Sequence, residues 1–161
     1  MQLSRNKQGF TIVELLIVVV VIAILAAITI VSFNGIQARA KYSVMQQDIA
    51  TVNKAVLSFY AEKGYYPFIG SGQGNTGTSL SSIESQLVPA YISKLPTFPN
   101  DGSGGYYVYI WGVGGASYKL LRLVPDGSTL PSVEQSDSRL DPKRTSRGWG
   151  YWSADAIGQQ L

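Results

Sequence analysis

Between Phe10 and Val31 the chain reads FTIVELLIVVVVIAILAAITIV, 22 residues with no Lys, Arg, Asp, Gly or Pro and one ionisable side chain, Glu14. At about 1.5 Å per residue a helix of this length reaches about 33 Å, enough to cross a hydrocarbon core of roughly 30 Å. The run therefore predicts a membrane-spanning helix. A carboxylate inside such a span costs about 2.5 to 3.5 kcal/mol on insertion, so Glu14 needs a reason to be there.

The residues ahead of the span supply part of that reason. Met1 to Gly9 (MQLSRNKQG) carries Arg5 and Lys7 and no acid, a short cationic segment that holds the N-terminus in the cytoplasm. A secretory signal would end its shorter apolar region in small residues, a role open to Ala23, Ala26 and Ala27. The apolar run continues through Ile28, Thr29, Ile30 and Val31, which makes a poor cleavage region.

Gly9-Phe10-Thr11-Ile12-Val13-Glu14-Leu15 resembles the processing motif of type IV prepilins and of the related pseudopilins of secretion and DNA-uptake systems. The match covers the leader and first helix, and the rest of the chain agrees only in layout. The resemblance implies that a membrane peptidase cuts after Gly9 and that the new N-terminal residue, Phe10, is methylated. It also implies that Glu14, fifth after the cut, neutralises the Phe10 amine of a neighbouring subunit as helices pack into a filament core. A helix N-terminus favours a carboxylate in its first turn, so the alternative is that Glu14 caps its own helix or snorkels to the interface.

Charge and composition narrow the function further. The chain has 13 basic and 10 acidic residues, a formal charge of +3, and loss of Arg5 and Lys7 leaves 11 against 10, so the processed chain is no general polyanion binder. The 161 residues hold no Cys and no His. Disulfides, Cys-based zinc sites, His ligands and Ser-His or Cys-His nucleophile pairs are excluded. Many pilins close a C-terminal loop with a disulfide, and this sequence is of a cysteine-free type. The remaining acids form no evident catalytic pair, and the sequence predicts no enzyme.

Past the span, Ser32-Phe33-Asn34-Gly35 interrupts the apolar run, and Met45, Ile49, Val52, Val56, Phe59 and Tyr60 then recur at helical spacing. Lys41, Gln47, Asp48, Asn53 and Lys54 fall on other faces. The helix is expected to continue, with Gly35 as its point of flexibility, since Gly costs about 1 kcal/mol against Ala in a helix. Many family members have a Pro where this chain has Val31. Lys63-Gly64 and Tyr66-Pro67 stop the helix, an AEKGYYP stretch similar to the end-of-helix signature of the family. Gly70 to Ser79 reads as a surface loop, and Ser81-Ser82-Ile83-Glu84 as a capping box for a short helix to about Leu87. Tyr106 to Trp111 and Tyr118 to Val124 predict a β-hairpin turning at Gly112-Val113-Gly114-Gly115. The apolar face of the long helix would cover it, with the strand aromatics read as core rather than as a binding platform.

The tail after Asp126-Gly127 mixes Glu134, Asp137 and Asp141 with Arg139, Lys143, Arg144 and Arg147, then Trp149, Tyr151 and Trp152. Secretion pseudopilins can bind calcium in a C-terminal loop, so a calcium site is one reading of these acids. With no D-x-D-x-D-G pattern present, a solvated loop without metal or other cofactor is the expectation. Arg139, Lys143, Arg144, Arg147 and Trp149 also suggest a nucleic-acid contact of the kind used for single strands, against which stands a loop packed on the sheet by its aromatics.

The expected fold is α+β and pilin-like. Residues 1-9 form a leader that is removed, 10-31 a transmembrane and filament-core helix, and 32-63 its amphipathic continuation. Residues 64-103 form a loop with a short helix, and 104-161 an antiparallel β-sheet and C-terminal region. The expected function is that of a structural subunit of a type IV pilus-like surface filament serving adhesion, twitching motility or DNA uptake. Its expected partners are further copies of itself, the prepilin peptidase, the pilus assembly platform and the cytoplasmic membrane, with nucleic acid only for an uptake role. It would be single-pass in that membrane before assembly and extracellular in the pilus afterwards. The alternatives are a type II secretion-like pseudopilin or minor pilin and, outside the family, a membrane-tethered binding domain.

Overall fold

The computed structural model describes residues 9-72, 74 and 78-156, with the side chains of 31 and 32 left aside. The expected leader residues Met1 to Gln8, including Arg5 and Lys7, lie outside the described residues, as does part of the Gly70 to Ser79 loop. The chain divides into two units, 1-37 and 38-161.

Helix α1 spans Ile12–Lys63 and passes through Asn34-Gly35. In its first stretch the apolar side chains from Ile12 to Ile30 are all exposed. This helix is long and apolar enough to cross a membrane. Gly64 ends α1 with φ +79, and its N–H bonds the Tyr60 carbonyl at 2.8 Å. Left-handed backbone carries no Cβ penalty at Gly, as the stop pattern predicts.

The second unit is built on the C-terminal part of α1. Met45, Ile49, Val52, Val56 and Phe59, spaced four and three apart, are buried as their periodicity predicts. They pack with one face of a three-stranded antiparallel sheet of order β1-β2-β3, with β1 Tyr106–Trp111, β2 Tyr118–Leu123 and β3 Gly148–Trp152. Period-two alternation puts Tyr107, Tyr109 and Trp111 on the helix side. Val108, Ile110, Leu121 and Leu123 gather on the other, closed by Ala156. The strand aromatics are core, as expected. The turn between β1 and β2 needs Gly115, whose φ is +73 and whose carbonyl accepts from Tyr66 N–H at 2.9 Å. A Cβ there would run into the Tyr66 carbonyl oxygen.

Several expectations are corrected. The sheet has a third strand, because Trp149 and Tyr151 from the tail pair with Arg122 and Leu120 of β2; a two-stranded hairpin would leave β2 without a second neighbour. The short helix is a 3₁₀ turn, Leu80–Ile83, leading into α2, Glu84–Leu87, and its cap is Ser79 rather than Ser81. Asn53 is not on an outer face: it is buried, and its Oδ1 accepts from Tyr118 OH at 2.6 Å. Tyr60 leaves the buried stripe for the surface, where its ring stacks on Tyr66 at 4.3 Å.

Candidate functional site

Two constellations carry the chemistry that the sequence singles out. The first is the N-terminus. Gly9, Phe10 and Thr11 are not helical and α1 starts at Ile12, so the Gly9–Phe10 peptide bond lies in open backbone just ahead of the helix. Phe10 is 84 % exposed. A Cβ on Gly9 would meet nothing, so packing within this chain does not require glycine there.

Glu14 sits in the first turn. Its Oε2 accepts from Thr11 N–H at 2.9 Å and from Thr11 Oγ1 at 2.7 Å, and its own N–H donates to Thr11 Oγ1 at 3.2 Å. Thr11 and Glu14 thus form a reciprocal capping box that satisfies two N-terminal donors. In the single chain Glu14 caps its own helix, the alternative role left open by its position. Both bonds fall on one oxygen, and Oε1 has no partner among the described residues.

The second constellation is the C-terminal region, where a solvated loop was expected and buried ion pairs stand instead. Arg122 is fully buried on the helix side of β2, between Tyr107 and Trp149 across the strands. Its Nε meets Glu134 Oε2 at 2.9 Å, and its Nη2 donates to Asp101 Oδ2 at 2.7 Å and to Ser103 Oγ at 2.8 Å. On the opposite face, Lys119 Nζ and Arg144 Nη1 hold the two oxygens of buried Asp141 at 3.2 and 2.8 Å. Asp137 takes both prongs of Arg139 at 3.0 and 2.9 Å, with Tyr42 OH at 2.6 Å. Burial alone would raise the Asp137 carboxyl, but the bonds from Arg139, Tyr42 and Gln46 outweigh it and hold the group down to about 2. Glu134 goes the other way: its burial exceeds the help of Trp149 and Arg122 and pushes it up.

The placement revises the roles expected of this tail. Trp149 is fully buried, its Nε1 donating to Glu134 Oε2 at 2.6 Å, so it offers no free face for stacking a base. Arg139 lies over the Trp149 and Tyr151 rings at 5.1 Å each while it grips Asp137. Arg144 is committed to Asp141, and Arg147 pairs with Asp126 and donates to the Val124 carbonyl at 3.1 Å. Lys143 alone of the four cations is exposed and has no acid partner among the described residues. Glu134, Asp137 and Asp141 point at separate cations rather than at one centre, and no group of three His, Cys, Asp or Glu suited to a metal occurs among the described residues.

Sequence reasoning missed Lys119, Arg122 and Asp101. The signal was there: two cations inside an otherwise apolar strand, three residues apart and so on opposite faces, each requiring a buried acid. Which acid answers each cation depends on the fold of the tail.

The family model for the prokaryotic N-terminal methylation motif matches residues 4–30. The chain is 44 % identical over 69 residues to the type IV major pilin protein PilA of Myxococcus xanthus, covering 41 % of this chain and 31 % of that protein. It is 26 % identical over 136 residues to the type II secretion system core protein G of Escherichia coli, covering 79 % and 88 %. To the type IV major pilin protein PilE1 of Neisseria gonorrhoeae it is 28 % identical over 93 residues, covering 58 % and 53 %. The match thus spans a third to a half of the two pilins and most of core protein G. No solved structure matches. By its methylation motif, its long apolar first helix and the small antiparallel sheet packed on the end of that helix, the chain is similar to type IV pilins and to the type II secretion system core protein G.

Proposed function

We propose that this chain is a structural, non-enzymatic subunit of a type IV pilus-like filament, cut after Gly9, methylated on Phe10 and assembled through its first helix. The observation that carries the reading is the N-terminal geometry: an unencumbered Gly9–Phe10 bond in non-helical backbone, followed by an apolar helix whose one acid is held in the first turn. Open backbone suits a peptidase, which must bind its substrate extended. The exposed apolar surface from Ile12 to Ile30 suits lipid before assembly and neighbouring helices afterwards. In the precursor the subunit is anchored in the cytoplasmic membrane; in the filament it is extracellular.

Glu14 serves both states. Its Oε2 closes the cap on Thr11, and Oε1 is left to receive the Phe10 amine of a neighbour. A carboxylate and an amine that each cost several kcal/mol alone in hydrocarbon become one pair. Gly35, exposed and with open space around it, is the position in α1 at which the helix gives most readily during assembly.

A second reading is favoured by one observation. The similarity to core protein G runs through the head, while that to the Myxococcus pilin covers 41 % of this chain, which supports a secretion pseudopilin. Mass spectrometry of the mature N-terminus, with purification of sheared surface filaments, tests the proposal. A methylated Phe10 and abundant filaments support a pilus; a methylated Phe10 without surface filaments favours the pseudopilin. An intact Met1, or a cut after Ala27, overturns both.

A further inference from the structure

A single buried guanidinium holds two carboxylates on the helix side of the sheet. Fully buried Arg122 reaches Asp101, on the loop before β1, and Glu134, on the turn from Pro131 to Asp137. With both acids ionised, this cluster carries more negative charge than positive. A buried excess charge is costly, and a proton is the smallest ligand that removes it.

The hydrogen bonds show which oxygen takes that proton. Arg122 Nη2 has two hydrogens but three acceptors around it: Asp101 Oδ2 at 2.7 Å, Ser103 Oγ at 2.8 Å and Glu134 Oε1 at 3.1 Å. Glu134 Oε1, at the longest distance, is the acceptor left over. Arg122 Nη1 does not make up the deficit, since it is buried with no partner among the described residues. Asp101 is better supplied, because its Oδ1 also accepts from Ser103 N–H at 2.9 Å and Ser103 Oγ at 2.6 Å. Burial alone would raise the Asp101 carboxyl, but the bonds from Ser103 and the charge of Arg122 outweigh it and hold the group down. Glu134 Oε2 is occupied by Trp149 Nε1 at 2.6 Å.

The other groups around Glu134 leave this balance unchanged. From α1 it is faced by Tyr42 and from β1 by Tyr107, and burial, helped by Asp137 and Asp48 respectively, raises both phenols, so neither is charged near neutral pH. Asp137, on the same turn, is held by both prongs of Arg139. From β2 and β3 the facing groups are Arg122 and Trp149.

We infer that Arg122, Asp101 and Glu134 form a proton-operated latch: Glu134 Oε1 takes one proton from solvent as the medium turns mildly acid, and the turn from Pro131 to Asp137 then sits more firmly on the sheet. The sign follows from linkage. Burial raises Glu134, so the folded head holds this proton more tightly than the unfolded chain does. The added stability is full below the ordinary glutamate value of 4.5 and is lost as the pH rises through the folded midpoint. The latch belongs to the head and stands whether the chain is a pilus subunit or a pseudopilin.

Trp149 supplies the reporter, since its indole N–H donates to the titrating carboxylate. In the full chain in detergent, the Trp149 indole N–H resonance, assigned through its contact with the Tyr42 ring at 5.5 Å, should titrate with a single midpoint above 4.5. The melting temperature should rise on acidification over the same interval. Asp101→Asn removes the competing negative charge and should move the Trp149 midpoint down toward 4.5, a shift that a merely structural role for Asp101 would not produce. Glu134→Gln keeps the shape of the side chain and should abolish both the Trp149 titration and its share of the melting-temperature rise. An indole resonance that stays fixed above pH 4.5 in the unaltered chain overturns the latch, as does an unchanged midpoint in Asp101→Asn. Should either variant fail to fold, the titration of the unaltered chain decides by itself.

Discussion

The two units of the chain meet their surroundings in opposite ways. From Ile12 to Ile30 the helix buries none of its apolar side chains and keeps one acid, bonded to a single local partner, Thr11. From residue 38 onward, five buried or half-buried carboxylates are bonded within the chain, and four of them are neutralised by Arg or Lys. The comparison teaches where stability is complete and where it is deferred. The head answers most of its buried charges from within its own chain, while the apolar surface of the N-terminal helix is left uncovered among the described residues.

Glu14→Leu should break this contrast most strongly. It removes the one acid of the first unit, so membrane insertion should be retained or improved by about 2.5 to 3.5 kcal/mol, while filaments on sheared cells fall to background. The melting temperature of the head in detergent should not move. Normal filaments from this variant would refute the pairing role. Arg122→Ala is the counterpart in the second unit. It leaves Asp101 and Glu134 buried without their cation, a loss of about 3 to 5 kcal/mol, read as a lower denaturation midpoint in detergent-solubilised protein.

A smaller effect compares two buried tyrosines. Tyr118→Phe forfeits the bond to Asn53 and should cost about 1 to 3 kcal/mol by leaving the amide oxygen unsatisfied. Tyr109 OH is buried with no hydrogen-bond partner, so Tyr109→Phe should be neutral or stabilising in the same melt.

Acid should loosen the head through Asp137. Its folded carboxyl sits at about 2, below the ordinary 3.8. The stabilisation it gives is therefore full above the unfolded value and is lost as pH falls from about 4 toward 2. Glu134, raised by burial, has the opposite sign: its ionisation on the way to neutral pH works against the fold, and Arg122 limits that cost. Melts of Asp137→Asn should be lower at neutral pH and flatter below pH 4. The smallest effect is at the junction between the two regions, where Gly35→Ala should stabilise α1 by about 1 kcal/mol. Reduced filament assembly despite higher helicity would assign Gly35 its role in bending.

What the sequence determined follows from local rules. The Gly9-Phe10 junction and Glu14 stood out through their resemblance to the prepilin motif, whereas the length and purity of the Phe10 to Val31 run needed no distant partner to be legible. The same holds for the Met45 to Phe59 stripe, the Gly64 stop and the Tyr106 to Trp111 strand, because helical and strand periods are written within a few residues. The tail was illegible for the converse reason. Lys119, Arg122, Asp101, Glu134, Asp137 and Asp141 lie up to 40 residues apart, and residue spacing does not say which acid will meet which cation. Only the return of Gly148–Trp152 as β3 brings Trp149 under α1 and beside Glu134. That step turns an apparently solvated, nucleic-acid-like run of charges and rings into a buried network. Charges at the surface are free to be read from sequence as a binding patch; once desolvated, each must find its opposite, and that pairing is set by tertiary contact alone.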